Sequence, residues 1–171
     1  MKKFLFSLLL LSVAIAVSAQ RKKFQFEMGL NYPLSFQKDG YKESRVGLFL
    51  GGTYNFADSP LSLGLKLSFE NYSIVKKQYP YSPFNGRSLS VVPSLKYNFF
   101  LSSKAIAYAG GGAGLSMDNI NTGVFNEGRR LHFLVSPLVG IELWRHVNLS
   151  AQYHLTAKDF SRLMIGASYV F

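Results

Sequence analysis

The chain contains no cysteine, which removes disulfide frameworks and thiolate metal sites from consideration. Acidic residues are scarce: nine Asp and Glu stand against 19 Lys and Arg, for a formal charge of +10. Such a balance suits an anionic partner, nucleic acid or a charged membrane surface. The basic residues are scattered, however, and nowhere interleave with aromatics in an RNA-binding pattern, so no nucleic acid partner is expected. Long apolar runs are also lacking. Beyond the N-terminal segment no stretch reaches the roughly eighteen consecutive apolar residues that a membrane helix needs, although 48% of all residues are hydrophobic. Strands are the remaining way for so greasy a chain to cross lipid.

The one long apolar run is N-terminal. MKKFLFSLLLLSVAIAVSA places Lys2 and Lys3 before an apolar stretch from Phe4 to Val17, with small residues at Ser18 and Ala19. That order predicts a secretory signal peptide cleaved before Gln20. Loss of Lys2 and Lys3 leaves a mature charge of about +8. A membrane anchor is the alternative, with Arg21-Lys22-Lys23 behind it, but the run is short for one. The expected division is residues 1–19 as signal peptide and 20–171 as a single domain.

Within that domain the apolar residues recur with period two. The closing stretch, Arg162 to Phe171, sets Leu163, Ile165, Ala167, Tyr169 and Phe171 on one parity and Arg162, Met164, Gly166, Ser168 and Val170 on the other. Side chains of a strand alternate between faces, so this is a strand with one greasy face. Seven more follow the same rule. They begin with Phe24–Tyr32, ended by Pro33, then Arg45–Phe56 and Leu61–Glu70, with a Tyr/Pro/Lys-rich loop at Tyr72–Gly86. Arg87–Phe99 and Ala105–Ser116 come next, with a polar loop at Met117–Arg130. Leu131–Leu143 and Val147–Leu155 complete the set, joined by a tight turn at Trp144-Arg145-His146. On the Gly/Ala-rich strand Ala105, Ala107, Ala109, Gly111, Ala113 and Leu115 are assigned outward, with Gly110, Gly112 and Gly114 inward.

Eight alternating strands fit a soluble barrel that is greasy inside or a membrane barrel that is greasy outside. The polar parity separates the two. A water-facing surface is dense in charge, whereas this parity is mostly Ser, Gly and Asn with a few charges. The greasy parity gathers aromatics at strand ends, as interfacial girdles do. Connections also alternate between short and long for most of the chain, as in outer-membrane barrels. The fold class expected is therefore all-β: an eight-stranded antiparallel up-and-down transmembrane barrel. Pro93 and Pro137 each remove a ladder hydrogen bond, and a bulge is expected near each.

The signal segment ending at Ala19-Gln20, the Gly/Ala-rich strand Tyr108–Leu115 and the closing Tyr169-Val170-Phe171 resemble the small eight-stranded outer-membrane barrels of the OmpA/OmpX-like group. The chain is most similar to the porin-like barrels of Bacteroidetes type. The resemblance implies a bacterial outer-membrane location in a Gram-negative cell. It also implies contact with outer-membrane lipid and lipopolysaccharide, and Tyr169 and Phe171 as part of the signal read by the barrel-assembly machinery.

The chemistry-bearing residues are few. Glu27, Lys66, Glu70, Lys96, Glu142, His132, His154 and Arg162 fall on the inward parity and are expected to form an interior polar network. Buried charges are tolerated when paired, and eight strands leave a lumen just wide enough for side chains to fill. The charges therefore read as a plug in preference to an ion pathway. His132 and His154 sit on neighbouring strands without acids at ligand spacing, and a hydrogen-bonded interior pair is expected in place of a metal site. His154-Leu155-Thr156 resembles the His-x-Ser of lipid A deacylases, but a Thr replaces the Ser, Ala157 follows it, and His154 points inward. No catalytic residue, cofactor or enzymatic activity is assigned. Lys76, Lys77, Tyr79, Tyr81, Arg129 and Arg130 are expected in outer loops, where binding on a rigid scaffold usually resides. The functional expectation is a plugged barrel with a structural or surface-interaction role and an extracellular ligand of unknown identity. A small-solute channel is the alternative, and a lipid A-modifying enzyme stands behind both.

Overall fold

The computed structural model describes residues 22–36, 40–76, 84–102, 104–121, 126–156 and 161–171. The signal segment 1–19 and Lys77, Tyr79 and Tyr81 lie outside the described residues. The strands are β1 (Phe24–Phe36), β2 (Gly40–Ser44), β3 (Gly47–Asn55), β4 (Leu61–Lys76), β5 (Phe84–Leu101), β6 (Ala105–Asn121), β7 (Asn126–Leu143), β8 (Val147–His154) and β9 (Arg162–Val170). All pairings are antiparallel. β2 and β3 both pair with β4, so they are two parts of one stave broken at Arg45-Val46. β9 pairs with β1, and β4 with β5, which closes eight staves into a cylinder. Closure leaves the barrel wall without a free edge.

The wall is greasy outside and polar inside. Leu63, Leu65, Leu67 and Phe69 of β4 are exposed, while Ser62, Ser68 and Glu70 of the same strand are buried. β9 alternates likewise, with Arg162, Met164, Ser168 and Val170 turned in and Ile165 and Tyr169 turned out. On β6 the inward residues are Ile106, Tyr108, Gly110, Gly112, Gly114, Ser116 and Asp118, with the three glycines placed as the sequence predicted. Exposing so many large apolar residues is unfavourable in water and favourable against hydrocarbon. At the rim that holds the short turns, Phe24 lies 5.3 Å from Phe26 and 6.1 Å from Tyr54 between ring centroids. Tyr54 and Phe56 meet edge-on at 5.2 Å, and Tyr169 and Phe171 at 5.0 Å. One end of the barrel therefore carries an aromatic girdle.

The short turns are tight. In the β7–β8 turn Trp144 and Arg145 have φ of 50° and 63°, and the His146 N–H donates to Leu143 O at 3.1 Å. Two successive left-handed residues match the type I′ turn that suits the twist of a hairpin.

Several expectations need correction. Pro33 does not end the first strand: β1 runs to Phe36, and a register shift against β9 between Pro33 and Ser35 absorbs the proline. No shift occurs at Pro93 or Pro137. Pro93 pairs in register with Leu65, and β5–β6 passes from Val91↔Leu115 to Ser94↔Gly112 unchanged. Pro137 pairs with Gly111, and β7–β8 keeps its register from Leu138↔Gln152 to Val135↔Leu155. Each strand residue directs its N–H to one neighbour only. A proline therefore costs a single rung, and the closed wall holds the register around it. The remaining shifts fall at Asn98/Phe100 and Asn119/Asn121. The described parts of the supposed outer loops Tyr72–Gly86 and Met117–Arg130 are strand as well. β4 continues to Lys76, paired with Gly40, and Arg129 and Arg130 lie on β7 opposite Asn119 and Asp118.

Candidate functional site in the lumen and at the outer rim

The lumen is built in three tiers. Nearest the short turns lies an amide and charge tier. Asn148 Nδ2 and Ser168 Oγ donate to Glu27 Oε2 at 2.8 and 3.0 Å. Lys96 Nζ stands 4.0 Å from Glu27 Oε1 and donates to Thr53 Oγ1 at 3.2 Å. Tyr108 OH donates to Asn148 Oδ1 at 2.8 Å, with its ring centroid 5.2 Å from the Lys96 ammonium. Lys66 Nζ donates to Gln152 Oε1 at 3.1 Å and lies 3.8 Å from the Phe49 ring centroid. Glu142 accepts from Gln25 Nε2 at 3.3 Å. Gln25 in turn accepts from Asn55, which accepts from Ser62, which accepts from Asn98.

The middle tier is apolar. Phe49, Val92, Leu134, Leu138 and Met164 are all buried on the inward parity. The third tier is anchored by Arg162 and Glu70, each with 1% of its side chain exposed. Arg162 Nε and Nη2 both donate to Glu70 Oε2, at 2.7 and 2.6 Å, and Nη2 also donates to Ser88 Oγ at 3.0 Å. Ser88 and Ser116 share a hydrogen bond of 3.0 Å, Ser116 donates to Asp118 at 3.2 Å, and His132 Nε2 stands 4.0 Å from Asp118 Oδ2.

All eight residues expected to line the interior face the lumen, but they do not form one network. Glu27 meets Lys96 and Glu70 meets Arg162. Lys66 and Glu142 bind amides instead. The expected hydrogen-bonded histidine pair is absent. Val135↔Leu155 sets His154 level with Ser136, four residues from His132, which is roughly 13 Å along the strand. His154 is fully buried beside Arg162, its register partner, and neither ring nitrogen has a hydrogen-bond partner. Neither nitrogen is thus hydrogen-bonded to a hydroxyl. Among the described residues no group of three or more His, Cys, Asp or Glu is placed to hold a metal.

Sequence reasoning missed Asp118, because it lies beyond the point where the apolar alternation stops, and Tyr108, because its neighbours suggested a strand of small residues. The inward apolar tier was also missed. Its signal was Phe49, Val92, Leu134, Leu138 and Met164 recurring on the parity otherwise held by Ser and Gly.

Register also builds the outer rim. Asn71↔Arg87, Arg87↔Asn119 and Asn119↔Arg129 place four residues from β4, β5, β6 and β7 in one row. Arg87 and Arg129 are exposed and share the outward parity of Leu89 and Leu131, the next outward residues down their strands. The row thus sits directly above the apolar belt. Arg130, on the inward parity, faces Asp118 across β6–β7.

Known structures share this architecture. The attachment invasion locus protein Ail of Yersinia pestis aligns at 14% identity and TM-score 0.54, over 88% of this chain and 100% of its own. OprG from Pseudomonas aeruginosa aligns at 12% identity and TM-score 0.58, over 91% and 99%. Neisserial surface protein A aligns at 13% identity and TM-score 0.54, over 87% and 96%. No curated protein matches the chain. Residues 5–171 match the model of the outer membrane protein beta-barrel domain, and the chain belongs to that family of small barrels of the bacterial outer membrane.

Proposed function

We propose that this protein is a plugged outer-membrane barrel, not an enzyme, whose role is structural or surface-interacting and is exercised at its outer rim. The observation that carries this reading is the lumen itself. The buried Arg162–Glu70 pair and the apolar tier beneath it occupy the volume that a water path would need. On the outer side, β4–β5 and β6–β7 remain paired beyond the last outward apolar residues, which gives a stiff platform for binding. Lys76, Lys77, Tyr79, Tyr81, Arg129 and Arg130 are the proposed contacts for an extracellular ligand. Ail has been solved with the heparin analogue sucrose octasulfate, and a polyanion would suit the arginines here.

Lipopolysaccharide is the proposed lipid partner. Arg87 and Arg129 flank Asn119 on the outward face, two strand spacings apart or about 10 Å. Guanidinium pairs with phosphate through charge-assisted hydrogen bonds. Tyr169 and Phe171 are proposed to engage the barrel-assembly machinery.

Single-channel recording in planar bilayers tests the plug. Silence in the wild type is expected. Steady conductance that disappears on neutralising Lys96 or Glu142 would replace this reading with a small-solute channel. Native mass spectrometry tests the lipid contact: the wild type should retain phosphorylated glycolipid and R87A/R129A should lose most of it. Equal retention would refute the site.

A further inference from the structure

We propose that the turn-side end of the wall holds one acidic glycerophospholipid of the periplasmic leaflet, its phosphate at Lys104 and Arg145 and an acyl chain in the groove above them. In outer-membrane barrels the short turns face the periplasm. This site and the arginine row at the outer rim therefore lie in opposite leaflets, and the two contacts are independent.

The groove is on the lipid side. It measures about 370 Å³ and is lined by Phe99, Val139, Ile141, Leu149, Ala151 and Ile165, over a floor that includes Gly140 and Ser150. Register explains its shape. Val139↔Ala151↔Ile165 form one row across β7, β8 and β9, so the methyl of Ala151 lies between two larger outward side chains. On the β5 side the register shift between Asn98 and Phe100 sets Phe99 outside the regular ladder, and such a bulge re-aims a side chain. Val139 is four residues from Leu143, the end of β7, or about 13 Å along the strand. One leaflet supplies about half of a hydrocarbon core roughly 30 Å thick. An acyl chain extending from a phosphate at the turn therefore covers the groove.

Hydrocarbon of any lipid would fill such a trough; the turns beneath it select the headgroup. Trp144 N–H donates to Lys104 O at 2.7 Å, which ties the β5–β6 turn to the β7–β8 turn. Lys104, Trp144 and Arg145 are all exposed there, and tryptophan is a side chain of the membrane–water interface. Glu142, the acid on β7 nearest this turn, is turned inward and accepts from Gln25. Asp58 belongs to the β3–β4 turn. Two neighbouring cations favour a phosphate whose headgroup carries no amine of its own and disfavour one that does. That is the chemistry of phosphatidylglycerol in preference to phosphatidylethanolamine.

The single tryptophan, Trp144, reports on the site. The refolded protein is placed in vesicles of phosphatidylethanolamine and phosphatidylglycerol in which one lipid at a time is brominated in its acyl chains. Quenching of Trp144 is then compared at equal fractions. Brominated phosphatidylglycerol should quench more strongly, and the difference should vanish in K104Q/R145Q. Equal quenching by the two lipids in the wild type, or a preference that survives in K104Q/R145Q, would overturn the proposal. Native mass spectrometry tests the groove. The wild type should retain phosphatidylglycerol, and Ala151→Phe, which fills the trough from the lipid side, should lose most of it. Undiminished retention in Ala151→Phe, or a lipid-free dimer in which a second copy covers this face, would refute the site. The lipopolysaccharide contact is read at the other rim from a glycolipid of different mass, so failure of one contact leaves the other standing.

Discussion

Removal of Arg162 should be among the most damaging single changes in the barrel, and removal of its partner in the same molecule should undo most of the damage. Arg162→Met keeps an unbranched side chain in the lumen but leaves Glu70 buried with no cation in contact. Breaking a buried pair from one side costs about 3–5 kcal/mol. Glu70→Leu strands the guanidinium in the same way and should cost a similar amount. The double variant Glu70→Leu/Arg162→Met has no charge left to strand, and such apolar replacements are close to neutral. One detail strengthens the expectation. Both guanidinium contacts fall on Glu70 Oε2, and Oε1 has no hydrogen-bond partner. A buried unsatisfied oxygen costs about 1–3 kcal/mol, and the double variant removes that too. The coupling between the two sites should therefore exceed about 3 kcal/mol. Urea titration of the refolded barrel in lipid measures it, with the single tryptophan, Trp144, as fluorescent reporter and the midpoint shift read at constant slope. Single-variant losses that add to within about 0.5 kcal/mol would mean that the groups do not act as a pair. That result would refute the ion-pair account of the outer tier.

Leu65→Arg, on the outward face of β4, should destabilise the barrel by about 2–4 kcal/mol in bilayers if it lies near the midplane. A loss below about 0.5 kcal/mol would mean that Leu65 does not face hydrocarbon. Spin labels at Leu63, Leu65 and Leu67 should report lipid while a label at Ser68 is shielded from it. Gly114→Ala should impair folding more than Gly111→Ala. A Cβ at Gly114 would stand 2.9 Å from Val92 Cα, whereas one at Gly111 meets nothing nearer than 3.9 Å. Equal midpoints for the two alanine variants would contradict that packing. N-terminal sequencing of protein recovered from separated outer membranes should begin at Gln20, and an uncleaved chain would refute the signal-peptide assignment.

Alternation was the legible part of this sequence because lipid and lumen impose it residue by residue. Leu61 through Phe69 could hardly be read otherwise. The reading failed where that pressure ends. Tyr72–Lys76, Phe84–Gly86, Met117–Asn121 and Asn126–Arg130 carry loop-like composition, yet the ladder continues through them. There the outward parity turns from apolar to polar, as at Arg87 and Arg129, so the apolar period of two fades while the backbone still gains by pairing. Pro33 failed for a related reason: a turn signal outweighed the pull of β9 on the other side. Pairing partners in the lumen were illegible because they depend on the stagger of the closed cylinder. Lys66 stands opposite Gly51 and Val92 in register, yet its ammonium reaches across the lumen to Gln152 on β8. No spacing within the chain encodes that contact.

The tiers also bear on what holds such a barrel together. Outside, burial against lipid replaces the hydrophobic core of a soluble domain, so the lumen is relieved of supplying one. Its hydrogen bonds are instead free to fix shape. Tyr108 illustrates this. Its hydroxyl bonds Asn148 across the lumen, and the space for its ring exists because position 140 is glycine, where a Cβ would collide with the phenol. Asn148 then bonds Glu27, which approaches Lys96. The chain of contacts thus ties β6, β8, β1 and β5 together across the cylinder, which the wall's ladder, linking only neighbours, cannot do. The apolar tier above ends this polar chain before it reaches Arg162. Two polar regions are thereby kept apart by the buried side chains of Phe49, Val92, Leu134, Leu138 and Met164.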